Sequence, residues 1–299
     1  MKRNTFCIPL PDDFSFAECL WFLDRNYDDC VHKVTGDTLY KPIMINSEVF
    51  LTSIHEKDKS LEVSILEGPA DATAKQLVAA YISDWLDLDR DTTPFYKLLK
   101  KDKRTAYMVN DFKGLRLVSI PDLFEAICWS VIGQQINLTF AYKLKRRLTE
   151  KYGISITYKE NIYHIFPDAA TLALADPAEL RAMQFSAAKV TYITETAKAF
   201  ANGLISKDQL QKLPDVAARR AFLTSLKGIG FWTANYTLMK SLKEPACIPY
   251  GDAGLLNALI AHNILQDKKD NAALDAFFAK FRGWESYLVF YLWRSLAKK

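Results

Sequence analysis

Two short segments of this 299-residue chain carry residue types whose spacing suits chemistry on a phosphate-bearing substrate. The first is Leu226-Lys227-Gly228-Ile229-Gly230, between two runs predicted to be helical, Asp215 to Ser225 and Phe231 to Leu242. Glycine accepts positive φ and close approach, so Gly228 and Gly230 allow a tight helix-to-helix turn with Ile229 as an apolar plug. The turn also leaves backbone N–H groups bare at the start of the second helix, at the positive end of its dipole. Such donors hold a phosphate without side-chain charge. Gly-x-Gly serves equally well as a plain helix connection, and by itself does not choose between the two roles. The second segment, Pro249-Tyr250-Gly251-Asp252-Ala253-Gly254-Leu255, puts one carboxylate at the head of a further predicted helix. Asp252 alone reads as an N-cap. The glycine turn about twenty residues before it makes it a candidate catalyst.

With the following Trp284-x-x-Tyr287 to Trp293, these segments resemble the helix-hairpin-helix DNA glycosylases, and more closely their DNA-3-methyladenine glycosylase II (AlkA-type) branch. The resemblance extends upstream to Phe124-Glu125-Ala126, Gly133-Gln134-Gln135, Phe166-Pro167, Ala175-Asp176-Pro177, Glu179-Leu180-Arg181 and Lys189. Through Phe22-Leu23 and Arg25 it reaches the N-terminal unit, and so covers nearly the whole chain. The hairpin plus the aspartate is its specific part. It implies an enzyme that flips a damaged base out of double-stranded DNA, holds it among aromatic rings and cleaves its N-glycosidic bond. Asp252 matches the family carboxylate, which stabilises the oxocarbenium-like sugar and orients or deprotonates water. A cationic alkylpurine leaves as a neutral base, so no general acid is required, and none of the four histidines lies in these motifs.

The family comparison also assigns the remaining site. Trp293, Tyr236, Trp232 and Phe22 are the expected base-pocket aromatics, suited to electron-poor bases by stacking and cation–π attraction. The wedge that fills the hole left by a flipped nucleotide falls on Gln135, with Gln134 beside it, where some relatives carry leucine. Gly228 and Gly230, assisted by Thr233, are assigned to backbone phosphate. Lyase-competent relatives carry a nucleophilic lysine two residues beyond the second hairpin glycine, where this chain has Trp232. Hydrolysis by water without β-elimination is therefore expected. The resemblance allows a monovalent cation at hairpin carbonyls, requires no cofactor, and gives no iron-sulfur cluster, since no cysteine follows Cys247. A monomer suffices to enclose one flipped base.

The elements that must position these residues fall into two regions. Alternating β-formers in VHKVTGDTLYKPI and VFLTSIHEKDKSLEVSILEG, with turns at Gly36-Asp37 and Glu56 to Ser60, predict a small antiparallel sheet. A helix from Phe16 to Arg25 is expected to pack on it through Phe16, Leu20 and Leu23. Residues 1–70 thus read as an α+β N-terminal domain and 71–299 as an all-helical region with the hairpin at 215–242. Caps at Asp71, Asp122, Asn137, Asp176 and Ser186 punctuate the helices, and Gly153 and Gly203 end two of them. The fold class is mostly α.

Composition excludes several classes. With 49% hydrophobic and 25% charged residues the chain reads as neither disordered nor a small disulfide scaffold. Its apolar runs fall short of a bilayer span, and the N-terminus lacks a signal-peptide pattern, so no membrane is expected and the cytoplasm, near the nucleoid in a bacterium, is the expected address. Five cysteines without CxxC spacing predict buried, reduced thiols. Residues 1–70 hold 7 Lys+Arg against 12 Asp+Glu, and the rest 32 against 23, so the helical region carries the excess positive charge a polyanion would meet. Lys100, Lys101, Lys103 and Arg104, and Lys143, Lys145, Arg146 and Arg147, read first as solvated helix faces. Two further readings share these features: a bifunctional oxidised-base glycosylase/lyase, which would need a lysine at Trp232, and a non-catalytic hairpin module that binds DNA without releasing a base.

Overall fold

The computed structural model describes residues 4–25 and 27–297. β1 (Thr5–Pro9), α1 (Phe16–Leu23), β2 (Lys33–Thr35), β3 (Thr38–Ile45), β4 (Glu48–Lys57) and β5 (Ser60–Glu67) come first. The strands form an antiparallel sheet in the order β1-β5-β4-β3-β2. Its core face follows strand alternation: Leu61, Val63 and Ile65 of β5 are buried while their neighbours are half-exposed. Two-residue turns join β3 to β4 at Asn46-Ser47 and β4 to β5 at Asp58-Lys59, all four residues at positive φ (51°, 66°, 49° and 57°), which suits the right-handed twist of the strands. The second of these turns was legible in the sequence; the first, and β1, were not.

Next come α2 (Ala72–Trp85), α3 (Thr93–Leu99), α4 (Met108–Asp111), α5 (Leu123–Gly133) and α6 (Leu138–Tyr152). A β-hairpin of β6 (Ile154–Tyr158) and β7 (Asn161–Ile165) follows, so the region 71–299 is not all-helical as expected. β7 lies beside β3, with the Tyr40 and Tyr163 rings 5.8 Å apart and Lys33 Nζ donating to Asn161 Oδ1 at 2.6 Å. The hairpin therefore extends the N-terminal unit instead of interrupting the helices. α7 (Ala169–Ala173), α8 (Pro177–Ala182), α9 (Ala187–Ala201), α10 (Lys207–Gln211), α11 (Val216–Thr224) and α12 (Phe231–Thr237) come next. α12 does not run regularly to Leu242; residues Leu238–Leu242 form a π-helical turn. α13 (Ala253–Ala261), α14 (Asn271–Phe278) and α15 (Glu285–Ser295) complete the chain. The side chains of Asp71, Asp122, Asn137, Asp176, Ser186 and Asp215 each accept a hydrogen bond from a first-turn amide of the helix they precede.

Buried residues from the sheet and from the helices belong to one continuous hydrophobic cluster. α1 ends at Leu23, short of the expected Arg25, and docks on α15 as well as covering the sheet. The Phe22 and Phe290 rings are 4.6 Å apart, and Arg294 Nε donates to Glu18 Oε2 at 2.7 Å. Arg116, fully buried, joins the segment before α5 to the N-terminal unit through Asp13. Lys145 of α6 is buried between Asp29, at 3.0 Å, and Glu125, at 3.1 Å. Arg146 pairs with Asp28 and Glu150, and Arg147 donates to the Met183 carbonyl. Much of this second basic cluster thus fastens the fold. Cys19, Cys30, Cys128 and Cys247 are buried free thiols, whereas Cys7 is exposed, contrary to expectation, because its side chain points outward from the edge strand β1. Among the described residues no helix is long and apolar enough to cross a membrane.

Burial alone would raise the Asp29 carboxyl, but the Lys145 ammonium, with His32 beside it, pulls it down to about 2 from an ordinary 3.8. A depressed folded-state value stabilises the protein above the unfolded value, and that contribution is lost as pH falls through the folded one. Urea unfolding of wild type should therefore lose about 2 kcal/mol between about pH 4.5 and pH 2 that Asp29→Asn does not lose. Equal acid slopes for the two proteins would show that this ion pair contributes nothing to the acid limb.

Candidate active site

The hairpin forms as its glycines require. Gly228 has φ +83°, and a Cβ there would lie 2.1 Å from Cγ of Tyr192, a ring of α9 that covers the turn. Ile229 is 3% exposed and plugs the space between α11 and α12. Gly230 is the N-cap of α12, and no side chain caps it. Arg220 Nε donates to Asn235 Oδ1 at 3.0 Å, and Asn235 Nδ2 donates to the Phe231 carbonyl at 2.9 Å, which fixes the two helices against each other. Among the described residues the amides of Gly228 and Gly230 donate to no protein acceptor. Gln134, at the C-terminal end of α5, donates through Nε2 to the Gly228 carbonyl at 3.0 Å and to Thr233 Oγ1 at 2.9 Å. The Gln134 amide is thus engaged in holding the hairpin, and the Thr233 hydroxyl is buried beneath it. Gln135 alone of the pair is exposed, on a backbone at φ +56°.

Asp252 serves as the N-cap of α13, its Oδ1 accepting from the Leu255 amide at 2.7 Å. The same oxygen accepts from Trp293 Nε1 of α15 at 2.9 Å. Among the described residues Oδ2 makes no hydrogen bond, so the second oxygen is free for substrate or water. Gly254 makes room for this pair: a Cβ there would come within 3.2 Å of both Asp252 Oδ1 and Trp293 Cδ1. From Trp293 an aromatic wall continues to Tyr236, 6.1 Å away, and to Trp232, stacked on Tyr236 at 5.4 Å. Trp129 of α5 donates through Nε1 to the Tyr236 hydroxyl at 2.9 Å and locks that ring. Burial, with Tyr142 nearby, raises the Tyr236 hydroxyl above its ordinary range, so it remains a neutral phenol.

All ten residues singled out from the sequence border one cavity of about 1360 Å³: Asp252, Trp293, Tyr236, Trp232, Phe22, Gln134, Gln135, Gly228, Gly230 and Thr233. Phe22 is hemmed in by neighbours. Besides Phe290, its ring meets the Arg25 guanidinium at 4.0 Å and the Lys240 ammonium nitrogen at 4.6 Å, which restricts the surface left for a base. Trp284, in contrast, stacks on Phe95 at 5.6 Å as a core anchor. Sequence reasoning missed three cavity residues. Trp129 looks like any core aromatic of an apolar helix. Leu138, 43% exposed at the start of α6, stands at the cavity mouth next to Gln135. Lys240 stands ten residues beyond Gly230, away from the lyase-lysine position at Trp232, and the π-helical turn that brings it inward has no signature in sequence.

Within the turn the Leu226 carbonyl accepts from the Ile229 amide at 3.1 Å and the Gly228 carbonyl from Gln134 Nε2. Among the described residues no group of three or more His, Cys, Asp or Glu is placed to hold a metal ion.

The fold that carries the glycine hairpin, the N-capping carboxylate and the aromatic cavity is shared with known proteins. Residues 128–282 match the HhH-GPD superfamily base excision DNA repair protein model, and residues 29–127 match the 8-oxoguanine DNA glycosylase N-terminal domain, whose match crosses residue 70 without a break. A DNA-3-methyladenine glycosylase of Bacillus subtilis is 35% identical over 297 residues, covering 98% of both chains. Among solved structures, a 3-methyladenine DNA glycosylase from Archaeoglobus fulgidus superposes with a TM-score of 0.83 at 20% identity, over 97% of each chain. An 8-oxoguanine glycosylase/lyase of Clostridium acetobutylicum, solved with DNA, follows at 0.79 and 17%, over 98% of this chain and 95% of that one. The chain belongs to the HhH-GPD superfamily of base-excision DNA repair proteins and is a DNA glycosylase of that fold.

Proposed function

We propose that this glycosylase is monofunctional and releases alkylated purines, of the 3-methyladenine and 7-methylguanine class, from duplex DNA by water. The observation that carries the reading is the Asp252 carboxylate, held through one oxygen by Trp293 and the α13 amide, at the edge of a cavity walled by Trp293, Tyr236 and Trp232. Electron-rich ring faces favour a base that carries positive charge. The near full-length Bacillus relative, named a DNA-3-methyladenine glycosylase, supports the same substrate class.

The chemistry follows from charge. As the N-glycosidic bond breaks, its electron pair leaves with the base; a cationic alkylpurine departs neutral, and positive charge grows on the sugar. The fixed negative charge of Asp252 stabilises that sugar in a site shielded from water. The oxygen of a water molecule then bonds to the anomeric carbon, and its proton passes to the free Asp252 oxygen or to solvent. The product is an intact strand with an abasic site. Backbone amides of the hairpin hold a phosphate flanking the lesion, and Gln135 fills the vacated stack.

The 8-oxoguanine glycosylase/lyase neighbour in the same fold keeps one other reading in play, in which an amine replaces water as the nucleophile. The position such a lysine would take is Trp232.

Single-turnover release from methylated duplex DNA should fall by roughly a hundred- to ten-thousand-fold in Asp252→Asn. Asparagine can still cap α13 and accept from Trp293, so DNA binding should survive. Strand breaks should form only after alkali; a borohydride-trapped protein–DNA adduct would establish the lyase instead. Trp293→Phe keeps a ring but removes the hydrogen bond to Asp252, and should slow excision about tenfold while changing affinity little. If Trp293→Phe loses binding and thermal stability in proportion to rate, Trp293 is a core residue and not a positioning one. Gln135→Ala should weaken binding to duplex carrying an abasic-site mimic by roughly threefold to tenfold, with undamaged duplex little affected. Equal losses on both duplexes would remove Gln135 from the wedge role.

A further inference from the structure

Lys240 lies in the π-helical turn Leu238–Leu242 and is 1% exposed, with its side chain bordering the same cavity as Asp252 and Trp293. Single π-helical turns concentrate at functional sites, because they redirect one residue at the expense of regular hydrogen bonding. Lys240 Nζ donates to the Val118 carbonyl and stands 4.6 Å from the centroid of Phe22 and 5.0 Å from that of Phe290. Among the described residues it makes no ion pair. Buried Lys145, in contrast, is held by two carboxylates.

The charged groups of the surrounding elements offer Lys240 no counter-charge. The segment after α1 contributes the Arg25 guanidinium, stacked on the same Phe22 ring, and α1 itself Glu18, which is taken by Arg294 of α15. Glu125 of α5 is taken by Lys145, and Asp84 of α2 by Lys207 and Lys243. On α12 the Tyr236 hydroxyl is occupied by Trp129, and the segment before α5 presents the Val118 backbone carbonyl. Burial, with Arg25 nearby, therefore pushes the Lys240 amine well below the ordinary lysine range.

We propose that Lys240 determines the charge tolerance of the base pocket: as a neutral amine it admits a cationic purine, and as an ammonium it repels one while leaving neutral lesions unaffected. The inference rests on the alkylpurine reading above. Lys240 is 1% exposed and so is screened little by bulk water, and a second positive charge close to its ammonium is opposed strongly. A neutral base meets no such opposition. Lys240 is thus a specificity residue, with no part in bond cleavage.

The test compares wild type with Lys240→Met, which keeps the side-chain length and removes the titratable group. Half-saturating enzyme concentrations are measured in single-turnover excision of 3-methyladenine, cationic as the nucleoside, and of hypoxanthine, neutral, from about pH 8 to about pH 5.5. Relative to Lys240→Met, the wild-type value for 3-methyladenine should rise about tenfold as pH falls, and the value for hypoxanthine should stay within about twofold. Parallel changes for both lesions, or none for either, would overturn the proposal. Absence of excision at about pH 8 would instead sink the alkylpurine reading, which separates the two failures. An NMR titration of wild type labelled at lysine Cε gives an answer independent of catalysis, with the Lys240 signal assigned by its loss in Lys240→Met, or in Lys240→Gln should the methionine variant unfold. A Lys240 signal that titrates with the surface lysines would also overturn the proposal.

Discussion

The hydrogen bond from Trp293 to Asp252 sets the geometry on which the rest of the site depends. It joins the head of α13 to α15 across 41 residues of chain, and engages one carboxylate oxygen while leaving the other without a protein partner. A carboxylate held by two donors on one oxygen has its other oxygen fixed in direction, the preorganisation that an electrostatic role would need. The bond can form only because Gly254 lacks a side chain that would press on both partners. α15, in turn, is held by Phe290 against Phe22 and by Arg294 against Glu18, both partners lying on α1. The N-terminal unit therefore helps to hold the Asp252 carboxylate in place through α15.

α12 carries a second set of constraints. Its first residues present bare amides, one face carries Trp232 and Tyr236 into the cavity, and its π-helical continuation brings in Lys240. One short helix thus couples backbone binding to base recognition. Its register is fixed from both ends of the turn: Tyr192 of α9 closes over Gly228, and Gln134 of α5 bonds the Gly228 carbonyl and Thr233. A displaced hairpin would move the aromatic wall together with the phosphate site.

The site was more legible in the sequence than the way it is held. The glycine hairpin and Asp252 are recognisable because backbone conformation and charge restrict those positions to few residue types. The helix caps are legible for the same reason, and the N-cap and candidate-catalyst readings of Asp252 are compatible, since Oδ1 caps and Oδ2 is left over. The β6–β7 hairpin escaped notice because Ile154–Tyr158 alternates weakly, with Ile154 and Ser155 both exposed, and the ring that Tyr163 packs against lies on β3, more than a hundred residues earlier. Gln134 and Gln135 are adjacent and chemically identical, and only the three-dimensional position of Gly228 tells which faces inward. Lys240 and Lys145 show the limit most clearly: a lysine in a sequence reads as solvated, and only tertiary packing decides whether it is buried with carboxylates or without them.

The distribution of basic residues bears on how such a protein meets DNA. Lys145, Arg146 and Arg147, which read as a solvated helix face in sequence, are engaged with Asp29, Glu125, Asp28, Glu150 and the Met183 carbonyl. The groups left bare beside the cavity are backbone amides of glycines. Backbone donors aimed at phosphate fix the register of a protein on a duplex but carry no sequence information. That suits a repair enzyme, because damage arises in every sequence context and discrimination must come from the base in the pocket. What borders the cavity is a set of aromatic faces together with charged side chains of both signs, Asp252 and Lys240 among them. A cationic lesion differs from a normal base in charge as well as in shape, and a lining that holds charged groups can act on both differences.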